Sequence, residues 1–311
     1  MILSELKVSW NQISRISWDK FYKRNSNSFQ QDWIYGLSLE SLGIECHRAE
    51  IFYQGNTVAI AQFICRNYFK IFNFALCSKG PIWENSLPSE LRIQIFNELK
   101  KNIPLNKPKF VFFSPALKDS ADPSLKSLSK VMTGQSTALV SLIQSEEKLR
   151  SNMESKWRNR LVSAEQAGIR ILQNSLKPSQ FSWLLDEEKK LRKNRGFYGL
   201  PTEFVTSYIK FKNLFNESTL LIRAELKKDK VAAMLFLLHG KSATYHLGWT
   251  NELGRNLNAH NLILWKSFLE LKNMGIEKLD LGGINTRSLP GISRFKIGSG
   301  GKVITYPGIF I

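Results

Sequence analysis

Four short stretches of this chain gather glycine, aromatic and basic residues more densely than a packed core requires. The first is Ser78-Lys79-Gly80-Pro81-Ile82-Trp83, and the second is Lys156-Trp157-Arg158-Asn159-Arg160 followed by Ala164, Ala167 and Gly168. The third is Arg195-Gly196-Phe197-Tyr198. The fourth runs from Asp280-Leu281-Gly282-Gly283-Ile284 through Pro290-Gly291-Ile292-Ser293-Arg294-Phe295-Lys296-Ile297-Gly298 to Gly300-Gly301. Glycines let backbone approach a bound molecule closely, and Arg294 with Lys296 supplies positive charge on what reads as a loop. The same stretch is equally compatible with a twisted sheet edge carrying glycine bulges.

Other chemistries lack their residues. The sequence has no GxxxxGK[ST] phosphate loop, no GxGxxG after a strand, no HExxH and no GxSxG. Its four histidines, His47, His239, His246 and His260, are scattered, so no metal site is assigned. Asp186-Glu187-Glu188 is followed by Lys189 and Lys190 and reads as a solvated helix face rather than an acid/base pair. Cys46, Cys65 and Cys77 are too few for a disulfide scaffold and show no ligand spacing, which suits a reducing cytoplasm.

Lys and Arg number 44 against 26 Asp and Glu, a formal charge of +18 on 311 residues. Such a surplus steers association toward polyanions, whether nucleic acid, anionic headgroups or phosphorylated substrates, although it also serves plain solubility. The N-terminus meets Glu5 before any apolar run develops, and the longest apolar stretch, Val231 to Leu238, is far short of a membrane span. The expectation is a cytoplasmic protein, peripheral to the inner face of the plasma membrane at most.

The elements that must position these stretches alternate between helical and strand periodicity. Phe29–Leu42 reads as a helix, Glu50–Tyr53 and Val58–Arg66 as a hairpin about Gln54-Gly55-Asn56-Thr57, and Phe69–Leu76 as a third strand. Pro88–Lys101 reads as a helix leading to the strand Phe110–Ser114. Ser145–Ala167 shows the longest helical pattern, with Leu149, Met153, Trp157 and Leu161 in one stripe and Gly168 ending it. Helices at Pro178–Lys193 and Thr202–Phe215 precede the strands Leu220–Glu225, Val231–Leu238 and Ala243–Gly248. A helix over Asn258–Met274 then passes into Lys278–Leu281, and Lys302–Tyr306 closes the chain. The two halves repeat a similar series, so two related α+β domains are expected, 1–144 and 145–311.

With these residues in place, the chain resembles the FemABX (Fem-type aminoacyltransferase) family. Phe29-Gln30-Gln31-Asp32-Trp33 is similar to its opening helix, Lys79-Gly80-Pro81 to its basic-Gly-Pro element, and Lys156 to Gly168 to its K-x-R-x-x-x-x-x-A-x-x-x-G helix. The strand with Tyr245, the Leu264-Trp265 helix, the Asp280–Ile284 strand end and the Pro290–Gly301 segment follow in family order. The resemblance implies two tandem GNAT-like domains with mixed, mostly antiparallel central sheets, of the compact subgroup without a helical hairpin. It implies an enzyme that forms an amide, passing an aminoacyl group from charged tRNA to an amine of a lipid-linked or nucleotide-linked peptidoglycan precursor. It places Phe295 and Lys296 beside the transfer centre, and Arg195, Tyr198, Tyr245 and Arg294 on the acceptor. The family's lysine one turn after the opening tryptophan is replaced here by Leu37, Ser38 and Leu39.

Attack of an amine on an activated ester needs orientation, proton removal and oxyanion stabilisation, with no metal or covalent nucleophile. No cofactor is therefore expected beyond aminoacyl-tRNA as co-substrate, and the protein is expected to act as a monomer. The rival is a CoA-dependent N-acyltransferase acting on a sugar amine of the cell envelope. Its pyrophosphate turn would fall at Arg255-Asn256-Leu257-Asn258-Ala259-His260, where both expected glycines are missing. A non-catalytic RNA- or membrane-binding protein would leave the glycine-aromatic segment without a role.

Overall fold

In a computed structural model, the structure describes residues 6–25, 28–117, 121–174, 178–195 and 199–311. It divides into two compact units, 1–135 with 305–311, and 136–304.

The first unit contains β1 (Leu6–Trp10), α1 (Arg15–Asn25), α2 (Trp33–Glu40), β2 (Glu45–Tyr53), β3 (Asn56–Tyr68), β4 (Phe72–Ser78), β5 (Ile82–Trp83), α3 (Ser89–Asn102), β6 (Lys109–Ser114) and β7 (Lys130–Thr133). The second contains β8 (Ser136–Ser141), α4 (Glu146–Ser151), α5 (Ser155–Glu165), β9 (Arg170–Asn174), α6 (Pro178–Arg195), α7 (Thr202–Leu214), β10 (Thr219–Leu226), β11 (Asp229–His239) and β12 (Ser242–Thr250). It continues with α8 (Glu252–Asn256), α9 (Ala259–Asn273), β13 (Lys278–Gly283), α10 (Pro290–Gly298) and β14 (Lys302–Thr305). The last strand, β15 (Gly308–Phe310), returns to the first unit.

Both sheets follow one plan. The first has the order β1-β2-β3-β4-β6-β15-β7, with β5 beside β3, and the second runs β9-β10-β11-β12-β13-β8-β14. In each, an antiparallel meander leads to one parallel pair, β4 with β6 and β12 with β13. The strand inserted after that pair comes from the segment following the other unit: β8 pairs with β13, and β15 pairs with β6 and β7. This exchange moves the division of the chain to 135/136, ahead of the expected 144/145, and returns 305–311 to the first unit. Sequence periodicity cannot register it, because a strand's partner is set by tertiary pairing rather than by its neighbours in the chain.

Local chemistry explains most elements. The β2–β3 hairpin closes on Gln54-Gly55, both at positive φ (50° and 77°), the twist that two-residue hairpin turns favour. β11 is buried from Val231 to His239, because it is the middle strand of five in the meander half of its sheet and is packed by α9. In the first unit, α3 buries Leu91, Ile95, Phe96 and Leu99 against Ala75, Val111 and Phe113. In the second, Trp157, Leu161, Ile263, Phe268, Met234 and Phe236 share one core.

Three expectations change. The single helix over 145–167 is two helices, α4 and α5. The Leu149/Met153/Trp157/Leu161 stripe is buried as expected, but the amide of Glu154 bonds the carbonyl of Gly298 at 2.9 Å instead of continuing the α4 ladder. The opening helix begins as a 3-10 turn at Phe29–Gln31 and becomes α2 only at Trp33. The glycine-rich loop after Pro290 is the helix α10, started by Pro290, whose missing N–H costs nothing in the first turn.

Candidate active site

The parallel pairs of the two units differ where it matters. β4 and β6 stay in register for six residues, from Asn73↔Lys109 to Ser78↔Ser114, and the amide of Lys79 extends the seam by donating to Ser114 at 2.7 Å. β12 and β13 pair only at Ser242↔Lys278, Ala243↔Leu279 and Thr244↔Asp280. Beyond Thr244, a bulge opposite Leu235/Phe236 leaves His246 between the pairs made by Tyr245 and Leu247. β13 is irregular over the same stretch, between Asp280 and Gly283. The ladder therefore stops in the second unit, at a place lined by Tyr245, Gly282 and Gly283. Strand ends released from their ladder present backbone groups to a ligand.

Lys296 stands at that place. It is 9% exposed, and its Nζ donates to the carbonyl oxygen of Gly283 at 3.0 Å. Gly282 has φ +80°, and a Cβ there would lie 3.4 Å from Lys296 Nζ and 3.9 Å from the Tyr245 carbonyl oxygen. Burial lowers the Lys296 pKa, and the charge of Asp280 opposes that shift. Asp280 Oδ1 accepts from the Gly282 amide at 2.7 Å and from the Thr137 hydroxyl. Lys296 is thus a buried helix cation beside a carboxylate already engaged, not the solvated loop cation that the sequence suggests.

The neighbouring Phe295 is fixed from α5 and α9. Trp157 Nε1–H donates to the Phe295 carbonyl at 3.0 Å, and the Phe295 ring lies 5.9 Å from that of Trp157 and 6.1 Å from that of His260. His260 Nε2 is 2.9 Å from the carbonyl oxygen of Trp249, so the ring donates from Nε2. Burial lowers its pKa, favouring the neutral ring. Glycines make these approaches possible: a Cβ on Gly298 would come within 3.0 Å of Trp157, and one on Gly301 within 2.8 Å of the Lys296 carbonyl.

Tyr245 lies on β12 against Phe236, with ring centroids 5.5 Å apart. Its hydroxyl occupies the space a Gly248 side chain would need, and burial raises its phenol pKa. Arg294 is exposed on α10, and its Nε donates to the Pro290 carbonyl of its own helix at 3.4 Å. α6 ends at Arg195, whose side chain lies outside the described residues, as does Tyr198. The structure thus gathers Lys296, Phe295 and the Tyr245 backbone, and adds Thr137, Trp157, Asp280 and His260. In the sequence Trp157 stood in the basic Lys156–Arg160 stretch and in an apolar stripe, and His260 was a scattered histidine at the end of the Arg255–His260 turn, neither pointing to Phe295.

Two further sequence readings change here. Glu187 and Glu188 are not a solvated face: Glu187 accepts from Trp249 Nε1 at 3.0 Å, and Glu188 pairs with Arg192 at 2.8 Å. Lys79-Gly80-Pro81 is a packed joint of the first unit, where Gly80 abuts Gln31 and Cys77 and Lys79 lies over the Tyr306 ring. Beside the opening tryptophan, Arg48 stacks on Trp33 at 4.1 Å and pairs with Glu40 at 3.0 Å.

Comparison with known proteins adds three findings. The FemAB family model matches residues 202–311, the segment that holds β12, β13 and α10. No curated protein sequence matches. Among solved structures, the crystal structure of FemX is similar over 97% of this chain and 96% of its own, with a TM-score of 0.82 at 12% identity. A conserved protein of unknown function from Bacteroides thetaiotaomicron gives 0.62 at 10% identity, over 98% of both chains. A tandem GNAT protein from the clavulanic acid biosynthesis pathway gives 0.54 at 8%, again over 98% of both. At such identities the likeness is one of fold, and it makes both units GNAT-like. Residues 202–311 thus carry the FemAB family pattern, within a chain built as two tandem GNAT-like domains.

Proposed function

We propose that the chain is an aminoacyltransferase that moves an aminoacyl group from charged tRNA to an amine of a peptidoglycan precursor. The observation that carries this reading is the interrupted β12–β13 ladder with the buried Lys296 amine at its end, inside the segment matched by the FemAB model. In the reaction, the acceptor nitrogen attacks the ester carbonyl, the new C–N bond forms and the ribose oxygen leaves. The amine loses a proton and the leaving oxygen gains one. Lys296 supplies positive charge to the oxyanion or to a donor phosphate, and such placed charge acts most strongly where water is excluded. Trp157 and Phe295 hold the Lys296 turn in position. Tyr245 and Arg294 face the acceptor in this reading, and the +18 charge favours both the tRNA and a pyrophosphate-bearing precursor.

The test is a transfer assay with charged tRNA and a panel of lipid-linked and nucleotide-linked muropeptide precursors, run beside acyl-CoA donors. Amide formation with charged tRNA is the expected result. Turnover with acyl-CoA alone would replace the reading with a CoA-dependent N-acyltransferase.

A further inference from the structure

The β3–β4 hairpin of the first unit ends in the loop Phe69-Lys70-Ile71, closed by the Tyr68↔Phe72 pair. Every residue from Arg66 to Phe72 is exposed, with Phe69 at 86%, Ile71 at 56% and Tyr68 at 53%. Phe69 and Lys70 both hold positive φ, 56° and 58°, a conformation disfavoured for bulky side chains. The chain thus accepts an unfavourable turn that leaves an aromatic ring in water, where it contributes nothing to the core. Behind the tip, Phe74 contacts Tyr68 at 5.3 Å, Phe110 at 5.1 Å and Phe112 at 6.2 Å. Tyr68, Phe69, Phe72, Phe74 and Phe112 line an open groove of about 600 Å³, so the tip continues into an apolar sheet face. A contiguous exposed surface of this kind marks an interaction site.

The two segments that carry the tip and the sheet face behind it are basic. The segments Arg66–Phe74 and Leu99–Phe113 contain Arg66, Lys70, Lys100, Lys101, Lys107 and Lys109 and no Asp or Glu. Asn73 joins the two segments, its amide donating to Pro108 at 3.0 Å and its Nδ2 to the carbonyl of Asn106 at 2.9 Å. Lys109 Nζ donates to the Lys101 and Ile103 carbonyls at the end of α3.

We propose that this hairpin docks the chain on an anionic lipid bilayer. Phe69 and Ile71 enter the boundary between headgroups and acyl chains, while the surrounding cations meet the headgroups. A projecting apolar point inside a basic collar matches a soft apolar medium under an anionic surface. Nucleic acid would use the collar and the rings but has no use for an aliphatic Ile71 at the tip. This docking is independent of the transfer reaction.

The full-length protein, mixed with vesicles of phosphatidylcholine with or without phosphatidylglycerol, tests it by co-sedimentation. Binding should require phosphatidylglycerol and fall by about tenfold or more in the Phe69→Ser/Ile71→Ser variant, whose exposed positions leave the melting temperature unchanged. In the Phe69→Trp variant, vesicle binding should shift tryptophan emission to the blue, and bromine-labelled acyl chains should quench the shifted band. Equal sedimentation of the tip variant and the parent would overturn the proposal, as would unquenched emission. So would binding of a single-stranded oligonucleotide with vesicles ignored, or tip-dependent self-association without lipid.

Discussion

The Nζ of Lys296 donates to the carbonyl oxygen of Gly283 at 3.0 Å, tying the last turn of α10 to the end of β13. The contact fixes the amine where the β12–β13 ladder has already stopped. A hydrogen bond to one carbonyl leaves two of the ammonium protons for other acceptors. Burial lowers the pKa of this amine and the charge of the nearby Asp280 carboxylate opposes that shift, while Thr137 and the Gly282 amide hold the carboxylate in place.

Lys296→Met should therefore separate catalysis from stability. The methionine fills most of the same space without a buried charge, so the melting temperature should stay within a few degrees. Turnover should fall by about a hundredfold or more, the size expected when a placed charge is lost from a reacting centre. Near-normal turnover in the transfer assay would move the chemistry elsewhere.

Tyr245 and Gly248 give a paired test. A Cβ at Gly248 would lie 1.8 Å from the Tyr245 hydroxyl, so Gly248→Ala should displace the ring and destabilise the protein by about 1–3 kcal/mol. Tyr245→Phe removes the hydroxyl alone; if Tyr245 meets the acceptor as proposed, it should raise the acceptor KM more than it lowers kcat, since such a contact would be shared by ground and transition states. An unchanged KM would assign Tyr245 to packing.

Arg158 and Arg160 should behave differently. Arg158 Nη1 donates to the carbonyls of Ser151 and Met153 across the break between α4 and α5, whereas Arg160 is exposed. Arg158→Ala should lower stability by about 1 kcal/mol, and Arg160→Ala should be nearly neutral in urea unfolding. If the helices bind tRNA, Arg160→Glu should flatten the dependence of binding on salt, while equal slopes would leave that arginine a solubilising role.

The break itself shows what the sequence could express. The Leu149, Met153, Trp157 and Leu161 stripe is a local signal, and it found the buried face of both helices. The interruption comes from Gly298, far along the chain, whose carbonyl takes the Glu154 amide. β11 was legible as a run of apolar residues, and β10 and β12 as apolar-containing segments set off from it by polar turns. β8 and β15 were not, because short segments acquire strand identity from partners elsewhere in the chain. At the site, glycine spacing pointed to Gly282, Gly283 and Lys296, but the Trp157 hydrogen bond and the Thr137–Asp280 contact arise only when distant segments meet.

Buried histidines should make the fold acid-sensitive. Burial, with Lys212 nearby, lowers the His239 pKa to about 3, and burial, with Arg192 nearby, lowers that of His246 to about 4. In the unfolded chain both sit near the ordinary value of about 6.5. Between those limits the unfolded state binds protons that the folded state refuses, so stability rises with pH. The contribution is complete above about pH 6.5 and is lost progressively as pH falls toward the folded values. Each histidine can add a slope of up to about 1.4 kcal/mol per pH unit. Glu187 and Glu203 have lowered pKa values, so their own loss begins only near and below about pH 4.5, the ordinary carboxylate range. The window from about pH 4.5 to 6.5 consequently isolates the histidines, His260 included. Urea unfolding across that window should show a falling midpoint as acid is added, and His246→Gln should reduce the slope by nearly one proton. A midpoint independent of pH there would mean that these rings accept protons without leaving the fold.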